Sequence, residues 1–158
     1  MAMVTARPKG MSRESKISIT VVDLQKRIPL KTSSIIKAAQ TVLKQERIKA
    51  AQLSIVFVSD SRIRFLNKKY LNEDHATDVL SFPTKTFGGD NFEVSGEIVI
   101  STDTAFKNAK IYRVTPSREI LLYVVHGILH LLGYDDHRTS DIQKMRRKEQ
   151  TLMNLIPK

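Results

Sequence analysis

The stretch "TPSREILLYVVHGILHLLGYDDH", residues 115–137, decides how this chain is read. Thr115 followed by Pro116 makes a cap and first-turn pair. The apolar run "ILLYVVHGILHLL" continues from there as one helix, and Gly133 ends it, as a glycine just past a helix commonly does. His126 and His130 stand four residues apart on that helix, so both imidazoles share one face, a turn apart. Three of the chain's four histidines lie within residues 126–137.

Outward from this helix the chain alternates strands and helices. "ISITVV" (17–22), "LSIVFVS" (53–59), "DVLSFP" (78–83) and "EIVIS" (97–101) are short, β-branched and apolar, and read as strands. Helices are expected over 33–50, 60–71, about 102–112, 116–132 and about 141–154. A polar loop, "KTFGGDNFEVSG" (85–96), joins the third and fourth strands without a helix and permits a hairpin, so the sheet is expected to be mixed. The fold class is α+β: one domain over 17–158, a mixed four-stranded sheet packed against about five helices, with a metal site at the end of the apolar helix. Residues 1–16, "MAMVTARPKGMSRESK", read as a disordered basic arm with no secretory apolar stretch.

Composition narrows the partners. Lys plus Arg number 26 against 16 acids, a net charge of +10, and there are no cysteines. The charge favours a polyanion, nucleic acid before a membrane surface. The missing thiols exclude disulfides and thiolate metal sites, and fit a reducing compartment, so a cytoplasmic location is expected. No apolar run approaches the ~20 residues of a membrane span.

The histidines carry the chemistry. Two imidazoles at i and i+4 can hold one divalent ion. Gly133 lets the chain fold back, so a third ligand ten or eleven residues after His126 closes the site. This is the logic of the H-E-x-x-H-x-x-G-x-x-H zinc proteins. Three protein ligands leave a fourth zinc position open for water, which marks a catalytic centre. One Zn2+ per chain is expected, with His126 and His130 as metal-binding and catalytic residues. Position 127 is Gly, where the peptidase motif has its glutamate base, which argues against peptide hydrolysis. The third ligand is open between Asp136, ten residues on, and His137, eleven residues on. His137 is preferred, because a loop after a glycine turn tolerates an extra residue.

"HGILHLLGYDDH" resembles the H-G-x-L-H-L-x-G-Y-D-H signature of the YbeY family of zinc-dependent endoribonucleases. "TDVLSFP" (77–83) and "GEIVIS" (96–101) resemble that family's other two motifs, in the same order, so the resemblance spans about residues 17–153. It implies a metal-dependent, single-strand-specific endoribonuclease acting in maturation of the small-subunit (16S) rRNA 3′ end and in ribosome quality control. Its partners would be ribosomal RNA and the small ribosomal subunit, with no membrane and no protein partner identifiable. The chain departs from the family at "YDDH", and again at Leu71 and Ala76, where the family commonly has an arginine associated with RNA cleavage and a proline. His75, Lys68, Lys69 and Arg113 are candidates for the missing charge.

Other residues are candidates on their own chemistry. Glu97 and Asp135 are candidates for orienting a zinc histidine, and Thr77 and Asp78 for turn chemistry or catalysis. Lys68, Lys69, Arg113, Arg138, Lys144, Arg146, Arg147 and Lys148 are candidate RNA contacts. Phe82, Phe87, Phe92 and Tyr134 are candidate stacking rings, with packing favoured for Phe82. The competing readings are a non-catalytic, zinc-containing ribosome-assembly factor and, further off, a metallopeptidase.

Overall fold

The apolar helix is the centre of the molecule. In the computed structural model it is α4, Pro116–Leu131. The described residues are 2–6, 16–84 and 93–158. In chain order the elements are β1 (Ala2–Ala6), β2 (Lys16–Asp23), α1 (Thr32–Gln45), β3 (Ala50–Val58), α2 (Asp60–Leu71), β4 (Val79–Pro83), β5 (Val94–Ser101), α3 (Thr102–Tyr112), α4 and α5 (Thr139–Leu155). The sheet order is β1-β2-β3-β5-β4. β2, β3 and β5 run parallel, while β1 and β4 pair antiparallel at the two edges.

The mixed α+β sheet expected from the sequence is present, and its four expected strands are β2 to β5. A fifth is added at the edge. Ala2–Ala6, inside the segment read as a disordered arm, pairs with β2 from Ala2↔Asp23 to Ala6↔Ile19. The outer edge of β2 offers a row of backbone N–H and C=O groups, and this pairing satisfies them. Two boundaries also move. α1 stops at Gln45 rather than reaching residue 50, because the chain turns at Arg47, with φ 58°, and Ala50 already pairs with Lys16 in the sheet. Val94–Gly96, read as loop, belong to β5, where they pair with Ala51–Leu53. Phe87 and Phe92 lie outside the described residues.

Alternation along β5 divides the core. Ile98 and Ile100 join the large cluster beneath α1 and α4, while Val99 faces a smaller cluster with Val58, Ile63 of α2 and Leu80. α4 packs against α1, α3, α5 and the β4–β5 hairpin. Its Ile120, Val124, Val125, Ile128 and Leu129 are at most 2% exposed, and such burial contributes about 1.5–3 kcal/mol per side chain.

At Gly127, α4 lies tight against the sheet. A Cβ at this position would lie 2.5 Å from Ile98 Cγ2 and 3.2 Å from Val79 Cγ1. The glycine beside His126 is therefore a packing requirement, and a glutamate at 127 has no room. The peptidase motif's glutamate therefore has no place at this position.

Candidate metal centre

α4 starts as its sequence predicts: Thr115 Oγ1 accepts from the Arg118 amide at 3.1 Å, with Pro116 in the first turn. Its end is more specific. Gly133 takes φ 98°, its N–H donates to the His130 carbonyl, and the Tyr134 N–H reaches back to the Leu129 carbonyl. This pair of bonds is the Schellman closure of a helix C-terminus. It reverses the chain and carries Asp136 back over the histidines.

Three ligand atoms meet there. His126 Nε2 and His130 Nε2 are 2.9 Å apart, and Asp136 Oδ2 lies 3.6 Å from the first and 3.4 Å from the second. Ligand atoms from these three residues all fall within 4.8 Å of one another. His137 does not join them. Its side chain is 85% exposed and its Nε2 pairs with Asp135 Oδ1 at 3.3 Å. The geometry thus runs against the preference for His137 and toward Asp136, because successive side chains after the turn point different ways.

The residue behind His126 is Glu149, which sequence reasoning missed. His126 Nδ1 is 2.5 Å from Glu149 Oε1. An ionised carboxylate only accepts, so Nδ1 carries the proton and Nε2 of the neutral ring turns its lone pair toward His130 and Asp136. Burial opposes charge on the ring, but the Glu149 bond and the charges of Glu149, Asp78 and Asp136 outweigh it and raise the His126 pKa. A signal was available. Met145 and Leu152 are the buried residues of α5, and Glu149 sits between them on the same stripe, a charge on the inward face of an amphipathic helix.

The donor set fits zinc. Two inward imidazole nitrogens and a carboxylate are first-choice zinc ligands, and the carboxylate–histidine pairing behind His126 is the usual support. Two Nε2 atoms facing each other at 2.9 Å need a shared cation or a shared proton between their lone pairs.

The other candidates fall in different places. Asp135 accepts from the Asp136 amide at 2.7 Å and pairs with His137, so it shapes the turn rather than holding His126 or His130. Glu97 is exposed in the middle of β5, opposite Phe82, and does not line the cleft at the histidines. Asp78 does line it, while its Oδ1 accepts from the Val79 amide and the Thr77 hydroxyl, so the strand-start role and the cleft role coincide. Phe82 packs in the smaller cluster and meets the Tyr70 ring edge-on, and the Tyr134 hydroxyl donates to Glu46.

Of the proposed RNA-contacting cations, Arg146 lines the cleft with His126 and Asp136. Lys148 is drawn to Glu46 Oε1 at 2.5 Å. Lys144 lies over the Tyr134 ring, Lys69 over the Tyr70 ring, and Lys68 pairs with Asp74 at 3.8 Å. Arg113 and Arg138 are exposed residues at the C-terminus of α3 and the N-terminus of α5, and Arg147 is exposed on α5. His75 is exposed and pairs with Glu73. Leu71, where the related family has arginine, is 55% exposed at the end of α2.

Comparison with known proteins places the chain in a family. A family model described as Endoribonuclease YbeY matches residues 10–156. A protein of Anaeromyxobacter sp. (strain Fw109-5), named Endoribonuclease YbeY, is 46% identical over 102 residues, 65% of this chain and 53% of that protein. The chain thus spans about half the length of that relative. Proteins of the same name from Pelotomaculum thermopropionicum and Syntrophus aciditrophicus are 39% and 31% identical. Those alignments cover 79% and 89% of this chain and 86% and 90% of theirs. A solution structure of a Thermotoga maritima protein has the same fold, with a TM-score of 0.57 and 23% identity over 86% of this chain and 88% of that one.

Proposed function

Because the chain belongs to the YbeY endoribonuclease family, we propose that it is a zinc-dependent, single-strand-specific endoribonuclease that matures the 3′ end of small-subunit (16S) rRNA and serves ribosome quality control. The observation that supports this most is the convergence of His126 Nε2, His130 Nε2 and Asp136 Oδ2 at the end of a core helix. These three residues would hold one zinc ion. A zinc ion bound there supplies a Lewis acid and lowers the pKa of a coordinated water toward ~7.

The chain's own groups supply the remaining parts. Glu149 fixes the His126 tautomer. Asp136 adds one more negative charge to the ligand set than a third histidine would. Arg146, in the cleft wall, is the cation placed to hold a phosphate oxygen, in the absence of an arginine at Leu71. The net charge of +10 suits ribosomal RNA and the small subunit as partners, in the cytoplasm.

The test is cleavage of a single-stranded RNA carrying the 16S 3′ end, before chelation, after chelation and after zinc is restored, with His126→Ala and His130→Ala alongside. Cleavage should vanish on chelation, return with zinc, and be absent in both variants. Cleavage that survives chelation would remove the metal from the mechanism. RNA binding without cleavage under any metal would instead identify an assembly factor whose zinc is structural.

A further inference from the structure

The face of α4 that carries His130 and His126 continues toward the N-terminus through Tyr123 and Glu119. Steps of four, three and four keep the side chains on one stripe. His126, Tyr123 and Glu119 line a single cleft of about 730 Å3, a volume suited to a small ligand or a nucleoside.

Glu119 is 5% exposed, an acidic residue on a helix otherwise committed to the core. The nearby Tyr123 hydroxyl favours its charged form against the cost of burial. Tyr123 is 4% exposed and accepts in turn from Asn108 Nδ2 at 2.7 Å. The Asn108 amide donates one of its two N–H groups to the Tyr123 oxygen, which leaves the Tyr123 hydroxyl hydrogen for the Glu119 side. One Asn108 N–H is thereby committed, and the second is available to the cavity alongside the acceptors. The wall is nevertheless acceptor-rich, with the Glu119 carboxylate and the Asn108 Oδ1 outnumbering that one N–H. Asp78 adds a second carboxylate to the lining.

Such a wall repels a phosphate and rewards a ligand edge rich in donors. Burial pushes the Glu119 carboxyl up, Tyr123 opposes this and Asp78 adds to it. The group has lost hydration that one hydroxyl does not replace, so a ligand donor there gains more than it would in water. Tyr112 also lines the cleft, is 66% exposed, and offers a ring for stacking.

We propose that this part of the cleft is a nucleobase subsite, taking the base next to the scissile phosphate through its hydrogen-bond donors, guanine before uracil, with Glu119 as the specificity-determining residue. Guanine sets an imino N–H beside an exocyclic amine, a pair that a carboxylate can accept together. Uracil offers one imino N–H between two carbonyls, whose lone pairs face the same acceptors unfavourably. The inference rests on the nuclease reading only in placing the base beside a scissile bond, since binding is measurable without cleavage.

The experiment measures binding of fluorescent RNA pentamers to the full chain in chelator, where no cleavage occurs. The pentamers have a uridine, guanosine or inosine at the centre of a uridine run. The guanosine pentamer should bind about tenfold or more tighter than the uridine one, with inosine, which lacks the exocyclic amine, between them. Glu119→Gln should bring guanosine and uridine within about threefold of each other. Should Glu119→Gln lose its fold by near-ultraviolet circular dichroism, Asn108→Ala must reduce the same preference. Equal binding of guanosine and uridine pentamers by the native chain overturns the proposal, as does a guanosine preference that the folded variant keeps intact. A chain that prefers guanosine but cleaves no RNA keeps the subsite and loses the nuclease reading; one that cleaves RNA without this preference does the reverse.

Discussion

His126 is held from behind: its Nδ1 lies 2.5 Å from Glu149 Oε1, across the contact between α4 and α5. Removing Glu149 leaves the ring free to turn and to carry its proton on the wrong nitrogen. Glu149→Ala should therefore weaken zinc binding by ~10–100-fold while the ligands themselves remain. Competition against a chelator of known affinity measures it, and an unchanged dissociation constant would show that the bond is only structural.

Asp136 and His137 separate cleanly by the same measurement. Asp136→Ala should lose most of its zinc affinity, because it removes the carboxylate oxygen 3.4 Å from His130 Nε2 that completes the proposed site. His137→Ala, altering an 85% exposed ring, should change it little. The opposite order would restore the third-histidine reading.

Salt dependence of RNA binding should distinguish cations that look alike in the sequence. Arg146 lines the cleft, so Arg146→Gln should flatten the slope of log K against log salt by ~0.7, one single-strand phosphate contact. Lys148 is already neutralised by Glu46 at 2.5 Å, and Lys148→Gln should leave the slope unchanged. Titrations at several salt concentrations check both.

Gly127→Ala inserts a methyl group where the nearest side-chain atom is 2.5 Å away. Overpacking of this kind costs about 1–3 kcal/mol, and chemical denaturation should show the variant less stable by that amount. A loss below about 0.5 kcal/mol would mean that α4 can shift off the sheet.

Acid should act through Asp60. Its carboxylate accepts from the hydroxyls of Ser101 at 2.5 Å and Thr104 at 2.6 Å, and from Lys107 Nζ at 2.9 Å. Burial pushes its pKa up, but these bonds outweigh burial and hold it below the 3.8 of a free aspartate side chain. A carboxyl with a lowered folded pKa contributes stability above its unfolded pKa and loses it as pH falls through the folded one. Stability should fall more steeply below 3.8 in the native chain than in Asp60→Asn, measured by denaturant unfolding across that range.

Local chemistry was legible in the sequence where it is decided locally. The Thr115–Pro116 start of α4 and the paired histidines are both set by residues within one turn of each other. What escaped depends on neighbours distant in sequence. β1 exists because β2 presents an open edge, which its own five residues do not announce. Glu149 reads as one charge among many in "MRRKEQ" until Met145 and Leu152 fix which way α5 faces. Asp136 against His137 is decided by the exit angle after Gly133, and spacing alone does not give that angle.

His126, His130 and Asp136 lie within eleven consecutive residues, and that locality carries a thermodynamic consequence. A ligand set so close in sequence needs little loop closure, so the denatured chain remains a usable chelator. Ligand stabilisation depends on how much better the native state binds than the unfolded one. Zinc should therefore raise the melting temperature by less than its native affinity alone would give, and heating should not by itself strip the ion from the chain.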